Sequence, residues 1–230
     1  MARSPRRAGH NVRQMAFRRR SKAAGMWLAA VGLAIAPIIL QKSVLDFSKS
    51  AENSLQVPLP LTLACLYGLC WSGSAASVWR GREFWRRADQ ADRGAQAEEE
   101  IAQLLQPLTE AGWRFEYNMP LQERLGDADI VCFSPNERIF VIDVKSHQGE
   151  VRFDGTRLYR RMGKRTYGFK KDFLKQCMRQ AFQVKRQLKV RYVTAVLAFS
   201  RASVKTQHGK LRGVYVVRRS RLIKLLQQLG

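Results

Sequence analysis

Phe140-Val141-Ile142-Asp143-Val144-Lys145 is an apolar, strand-like run in which a carboxylate and an ammonium stand two residues apart. Residues two apart on a strand share a face, so Phe140, Ile142 and Val144 point one way into a core while Asp143 and Lys145 point together the other way. A charge pair held like this is either a solvated sheet surface or a site, and the strand alone fits both. The flanking residues favour a site.

Immediately upstream, Gly126-Asp127-Ala128-Asp129-Ile130-Val131-Cys132-Phe133 has the same strand character, and Ser134-Pro135-Asn136-Glu137-Arg138 supplies turn chemistry between the two. A hairpin centred on Asn136 pairs Phe133 with Ile139, Val131 with Val141 and Asp129 with Asp143. Directly opposed residues lie on one face with Cβ atoms about 5 Å apart, which clusters Asp129, Asp143 and Lys145. Opposed carboxylates repel; Lys145 relieves this in part, and a divalent cation relieves it better. Hard oxygen donors without Cys or His point to magnesium or manganese rather than zinc. Carboxylates around such an ion, with a lysine beside them, are the machinery of phosphodiester hydrolysis.

Charge sets the surroundings. The net charge of this 230-residue chain is +23, and it is unevenly placed: residues 151–230 carry 22 Lys or Arg against two acids, and residues 1–22 carry eight with none. Residues 80–150 reverse the balance, with 14 acids against nine bases. A basic surface around a carboxylate-lined site suits a polyanion such as nucleic acid, and it equally suits anionic lipid.

Two spans read as transmembrane helices: Ala23–Leu40, 18 residues without a charge, and Val57–Val78, 22 more. Each is close to the roughly 20 residues that cross a bilayer. The basic run Arg18-Arg19-Arg20-Ser21-Lys22 precedes the first span, and Arg80, Arg82, Arg86 and Arg87 follow the second, whereas the loop Gln41–Gln56 balances two bases with two acids. The positive-inside rule then places both termini in the cytoplasm of a multi-pass inner-membrane protein, with anionic lipid at the basic flanks and Trp79 and Trp85 at the interface. A buried helical hairpin of a soluble protein is the alternative. The expected organisation is a basic tail over 1–22, a helical hairpin over 23–79, a charged linker or helix extension over 80–93 and a cytoplasmic domain over 94–230. Cys65, Cys70, Cys132 and Cys177 have no paired or metal-type spacing, and His10, His147 and His208 are scattered.

Within the domain, Ala97, Ile101, Leu104, Leu105 and Leu108 mark a helix in which Glu98 borders the apolar stripe, with Gly112 as its stop. Trp113–Tyr117 fits a first strand. Glu150–Phe153, the turn at Asp154-Gly155 and Thr156–Arg161 form a second hairpin. Arg157, Arg160, Arg161, Lys164 and Arg165 on its far side, interleaved with Tyr159 and Tyr167, suit a finger that tracks a phosphate backbone, or a solvated edge that resists strand addition. Lys170–Leu188 is helical with Phe173, Cys177, Ala181, Val184 and Leu188 inward; Tyr192–Phe199 and Val214–Val217 fit central strands, and Arg219–Leu229 fits a closing helix.

Glu98, Asp129 and Asp143-Val144-Lys145 together resemble the PD-(D/E)xK nuclease superfamily. Gly94-Ala95-Gln96-Ala97-Glu98, Gly126-Asp127-Ala128-Asp129, Val141–Lys145 with Gly149, and a later helix carrying Gln176 more closely resemble the nuclease-related domain, NERD, over roughly residues 91–188. Ala97 stands where that family often has glycine, Asp143 where glutamate is commoner, and Asp172-Phe173 where it has Asn-Pro. The resemblance implies a restriction-endonuclease-like α/β fold, a mixed sheet flanked by helices, and magnesium-dependent cleavage of DNA. It implies Asp129, Asp143 and Glu98 as metal ligands, Lys145 as the water-activating or charge-stabilising group, and Gln176, with Gln180 beside it, on the helix behind the site. Two functions compete: a membrane-tethered hydrolase acting on DNA, and an inert anchor that uses the same scaffold to hold DNA. A lipid-binding role for the basic surface is a third.

Overall fold

The computed structural model describes residues 8–51, 59–122, 126–206 and 209–230, and the chain divides into two compact units. One is Gln14–Ala91; the other joins the described part of Met1–Arg13 to Asp92–Gly230.

Two long helices run through the first part of the chain, α1 (His10–Ala51) and α2 (Leu59–Leu105). Within Gln14–Ala91 they lie antiparallel. Arg19 Nη1 donates to the Arg87 carbonyl at 2.9 Å, Ser74 Oγ to the Ala30 carbonyl at 2.8 Å, and the Trp27 and Trp85 rings stack at 5.3 Å. Ala16, Ala23, Ala30 and Pro37 recur every seventh residue on the buried seam of α1, and small side chains there let two helices approach closely. Leu28, Val31, Ile35, Ile38 and Ile39 face outward. Among the described residues one helix, over Asn11–Ser43, is long and apolar enough to cross a membrane, with a mean hydropathy of 2.1 over its 18-residue apolar stretch. The second expected span, Val57–Val78, is not shown: residues 57 and 58 lie outside the described residues, and the rest forms the start of α2, whose charged residues begin only at Arg80. The predicted loop Gln41–Gln56 is helical as far as Ala51, and residues 52–56 lie outside the described residues. The segment 80–93, expected as a charged linker or a helix extension, is helix throughout, because its Arg, Ala, Gln and Glu residues favour that state and neither Pro nor a run of Gly interrupts them.

The second unit is built on an eight-stranded mixed sheet: β1 (Arg114–Pro120), β2 (Asp127–Phe133), β3 (Ile139–Phe153), β4 (Leu158–Met162), β5 (Arg165–Gly168), β6 (Thr194–Val204), β7 (Lys210–Leu211) and β8 (Val214–Arg218). The order is β1-β2-β3-β6-β8-β7, with β4 paired to the far half of β3 and β5 paired to β4. β3–β6 and β6–β8 are parallel and the remaining pairs antiparallel. The end of α2, from Asp92, belongs to this unit, with α3 (Pro107–Glu110), α4 (Phe173–Leu188) and α5 (Arg219–Leu229). One sheet face packs Val131, Val141, Leu197 and Phe199 against Phe173, Leu174, Cys177 and Val184 of α4. The other packs Ile130, Phe140, Ile142 and Val196 against Ile101 and Leu105 of α2 and Leu222 and Leu226 of α5. β3 and β6 are thus covered on both faces, which is why they read as near-continuous apolar runs.

β3 is one strand where the sequence reading has two. The expected strands Ile139–Lys145 and Glu150–Phe153 are joined through Gly149 at φ +95°, and the pairing with β6 shifts register between Lys145 and Gln148. A Cβ at Gly149 would lie 2.6 Å from the Arg161 carbonyl oxygen, so β4 can approach only a glycine.

Candidate active site

The β2–β3 hairpin has the register that a turn centred on Asn136 requires, with Phe133 opposite Ile139 and Val131 opposite Val141. Its ladder ends at Ile130 opposite Ile142, one pair short of the carboxylates. The β3–β4 ladder begins only at Glu150 opposite Arg161. Between these ends, one edge of β3 over residues 143–149 is left without a strand partner, and the candidate residues gather there. Asp129 uses its carboxylate in place of the missing ladder bond: Oδ2 accepts the Val144 N–H at 2.7 Å.

Asp143 is 1% exposed; Lys145 Nζ donates to its Oδ1 at 2.8 Å, while Oδ2 is buried without a partner among the described residues. Lys145 also lies over the Phe173 ring at 5.0 Å. Burial alone would lower the Lys145 ammonium, but the Asp143 and Asp129 carboxylates outweigh it and raise its pKa, so it remains charged at neutral pH. Asp129 is pushed up to about 7, first by burial and then by the Asp143 charge. Glu98, on α2 and 7% exposed, is pushed up to about 8 by burial and then by Asp129, against the opposing hydrogen bond from the Gly9 N–H. The Glu98, Asp129 and Asp143 carboxyls therefore repel one another.

Oxygen donors of this kind suit magnesium or manganese, and the orphaned Asp143 Oδ2 is a donor ready for one. Among the described residues, no three His, Cys, Asp or Glu side chains are gathered into a closed ligand set. That arrangement still fits magnesium, which is commonly held by one or two carboxylates and completes its shell with water and substrate phosphate.

The helix behind the site carries Gln180 more deeply than Gln176. Gln180 is 2% exposed, its Nε2 donates to the Asp127 carbonyl at 3.3 Å and its Oε1 is buried and unpartnered. Gln176 is half-buried, and no side-chain hydrogen bond holds it among the described residues. The reason is helical phase: Gln180 falls beside Cys177, Ala181 and Val184 on the buried stripe of α4.

The basic residues project on two successive hairpins. Asp154 Oδ1 accepts the N–H groups of Thr156 and Arg157 and closes the first turn. Gly163-Lys164 closes the second, β4–β5, where Met162 pairs with Arg165. Arg157, Arg161, Lys164 and Arg165 are exposed, and Arg160 lies over the Tyr167 ring at 5.5 Å. A pocket of about 150 Å³ between Arg157, Lys170 and Lys171 opens onto Phe169 and Phe173, the rings that flank His147.

Residues 93–200 match the family model of the nuclease-related domain, NERD. No curated protein and no solved structure matches the chain. The NERD match takes in Glu98, Asp129, Asp143, Lys145, Gln176 and both basic hairpins, and leaves out α1, β7, β8 and α5. A mixed sheet between helices is consistent with a nuclease-like fold, and the match indicates a nuclease-like function for this segment.

Two groups near the site carry no signal in the sequence. His147 packs edge-on to Phe169 at 5.0 Å with its Nδ1 buried and unpartnered, and burial, then Arg160 and Lys145, lowers its pKa. Gly9, Asn11 and Arg13, from the segment read as a basic tail, bond to Glu98, Asp127 and Glu99. Their partners lie 86 to 116 residues away, beyond the reach of any periodicity.

Proposed function

We propose that the chain is a membrane-anchored, magnesium-dependent nuclease of restriction-endonuclease-like fold that binds DNA and hydrolyses its phosphodiester bonds. The observation that carries this reading is the buried, unpartnered Asp143 Oδ2 beside Asp129 and Lys145 on the free stretch of β3. Asp129 and Asp143 hold the ion, with Glu98 completing the acidic set. A bound magnesium or manganese ion supplies charge stabilisation at the phosphate and acidifies a water. Lys145, kept cationic by its two carboxylates, steadies the charge that develops on the phosphate oxygens rather than serving as a base. Burial and mutual repulsion raise the pKa values of Glu98 and Asp129 in the metal-free site, so a bound cation would have to displace their protons. Arg157, Arg160, Arg161, Lys164 and Arg165 hold the nucleic-acid backbone, with Tyr167 available for stacking. Gln176 and Gln180 support the site from α4.

The apolar stretch of α1 and the outward Leu61, Leu69, Trp71 and Trp79 of α2 support a two-helix membrane hairpin with both termini cytoplasmic. Two observations favour the inert anchor instead: among the described residues the carboxylates form no closed set, and Lys145 holds Asp143.

The test is full-length protein in nanodiscs with magnesium and supercoiled, linear or single-stranded DNA. Cleavage that Asp143→Ala abolishes supports the nuclease. Intact DNA throughout, with binding lost only on charge reversal at Arg160, Arg161 and Lys164, supports the anchor.

A further inference from the structure

We propose that Gly9, Asn11 and Arg13 are positioning residues for the Glu98 side of the site, so that the first turn of α1 sets the affinity for the divalent cation. This rests on the metal-dependent reading above. Gly9 is the residue before α1, and its N–H donates to Glu98 Oε2 at 3.2 Å. Among the described residues this is the one hydrogen bond to that buried carboxylate. Asn11 Nδ2 donates to Asp127 Oδ2 at 2.7 Å, two residues before Asp129, and Arg13 Nη2 meets Glu99 Oε2 at 2.5 Å. Five residues thus tie α2, which carries Glu98, to β2, which carries Asp129, and fix the gap between the two carboxylates.

The contact is specific to the residues present. Gly9 has φ +72°, and a Cβ there would stand 2.9 Å from the Ala95 carbonyl oxygen. Only glycine adopts that backbone so close to α2, and only from there does its N–H reach Glu98. The start of a helix also brings partial positive charge to a carboxylate that burial and Asp129 disfavour. A hydrogen bond of this kind orients a metal ligand by holding one oxygen and leaving the other to turn inward; loss of such outer partners commonly weakens metal binding by about 10-fold to 100-fold. Gly9, Asn11 and Arg13 lie outside the NERD match, and α1 continues from them into the stretch long and apolar enough to cross a membrane. The site is therefore completed by the anchor helix itself.

The experiment is calorimetric titration of magnesium into full-length protein in detergent micelles, with thermal melting alongside, for wild type, Gly9→Ala, Arg13→Glu and the exchange Arg13→Glu/Glu99→Arg. The expected result is affinity about 10-fold weaker in Gly9→Ala and Arg13→Glu, restored in the exchange. Added negative charge alone would draw a cation in, so weakening by Arg13→Glu reports geometry. Unchanged affinity in the single variants, even with lower melting temperatures, overturns the proposal. If Gly9→Ala does not fold, the Arg13 pair decides alone. Wild-type protein that binds no magnesium overturns the metal reading, and the proposal with it; equal binding in wild type and variants overturns the proposal only.

Discussion

Val144 donates its backbone N–H to Asp129 Oδ2 at 2.7 Å, where the β2–β3 ladder has already ended. One carboxylate oxygen replaces a strand partner and leaves the other for chemistry. Asp129→Asn keeps an acceptor for Val144 and removes the charge, so it should fold with a melting temperature close to wild type while losing magnesium binding. Asp129→Leu should cost about 1–2 kcal/mol more, since Val144 N–H is then buried unpaired. Calorimetry with thermal melting separates the two effects; equal stability of the two variants would contradict a structural role for this bond.

Stability should depend on pH through the same carboxyls. Glu98 and Asp129 bind protons more tightly folded than unfolded, their pKa values rising from 4.5 to about 8 and from 3.8 to about 7. Folding therefore takes up protons, and their stabilising contribution, complete below about pH 4, is lost as pH climbs toward about 8. Melting temperatures of the metal-free protein should fall over that window, and Glu98→Gln should flatten the slope. A flat wild-type profile would sink this account.

Asp143 is buried and Lys145 partly so, which makes the halves of the pair unequal to the whole. Lys145→Met leaves Asp143 uncompensated and should destabilise by about 3 kcal/mol, whereas Asp143→Asn/Lys145→Met should recover much of that loss. Denaturation of the three variants measures it. No recovery in the double variant would mean that packing, not charge, dominates here.

Gly149→Ala places a Cβ against the Arg161 carbonyl at a backbone angle unsuited to alanine. The expected loss is roughly 2 kcal/mol, concentrated where β3 meets β4. Hydrogen exchange should show faster opening of residues 150–162 with the β2–β3 hairpin unchanged; uniform protection would argue against it.

Much of the site was legible because its geometry is local. A period of two and a five-residue turn place Val131 opposite Val141, but the ladder stops at Ile130 opposite Ile142, and Asp129 meets β3 through the Val144 N–H instead of by strand pairing with Asp143. The helical phase of Phe173, Cys177, Ala181 and Val184 likewise anticipates the buried face of α4, although Gln180 rather than Gln176 proved the buried amide. Of the two readings of 80–93, α2 takes the helix extension, and it runs unbroken through the boundary between the units at Ala91 and Asp92, which helix propensity does not mark.

The sequence by itself determined the hairpin, its register, the apolar strands and the charge asymmetry, all of which follow from neighbours a few residues apart. Only the tertiary structure decided that β3 runs unbroken past Gly149, that β4 takes up its edge only from Glu150, beyond the end of the β2 ladder at Ile142, and that Gly9 reaches Glu98. Those relationships depend on backbone approach between distant segments, and on the absence of a side chain at two glycines. Close approach of that kind leaves no periodic trace in the chain.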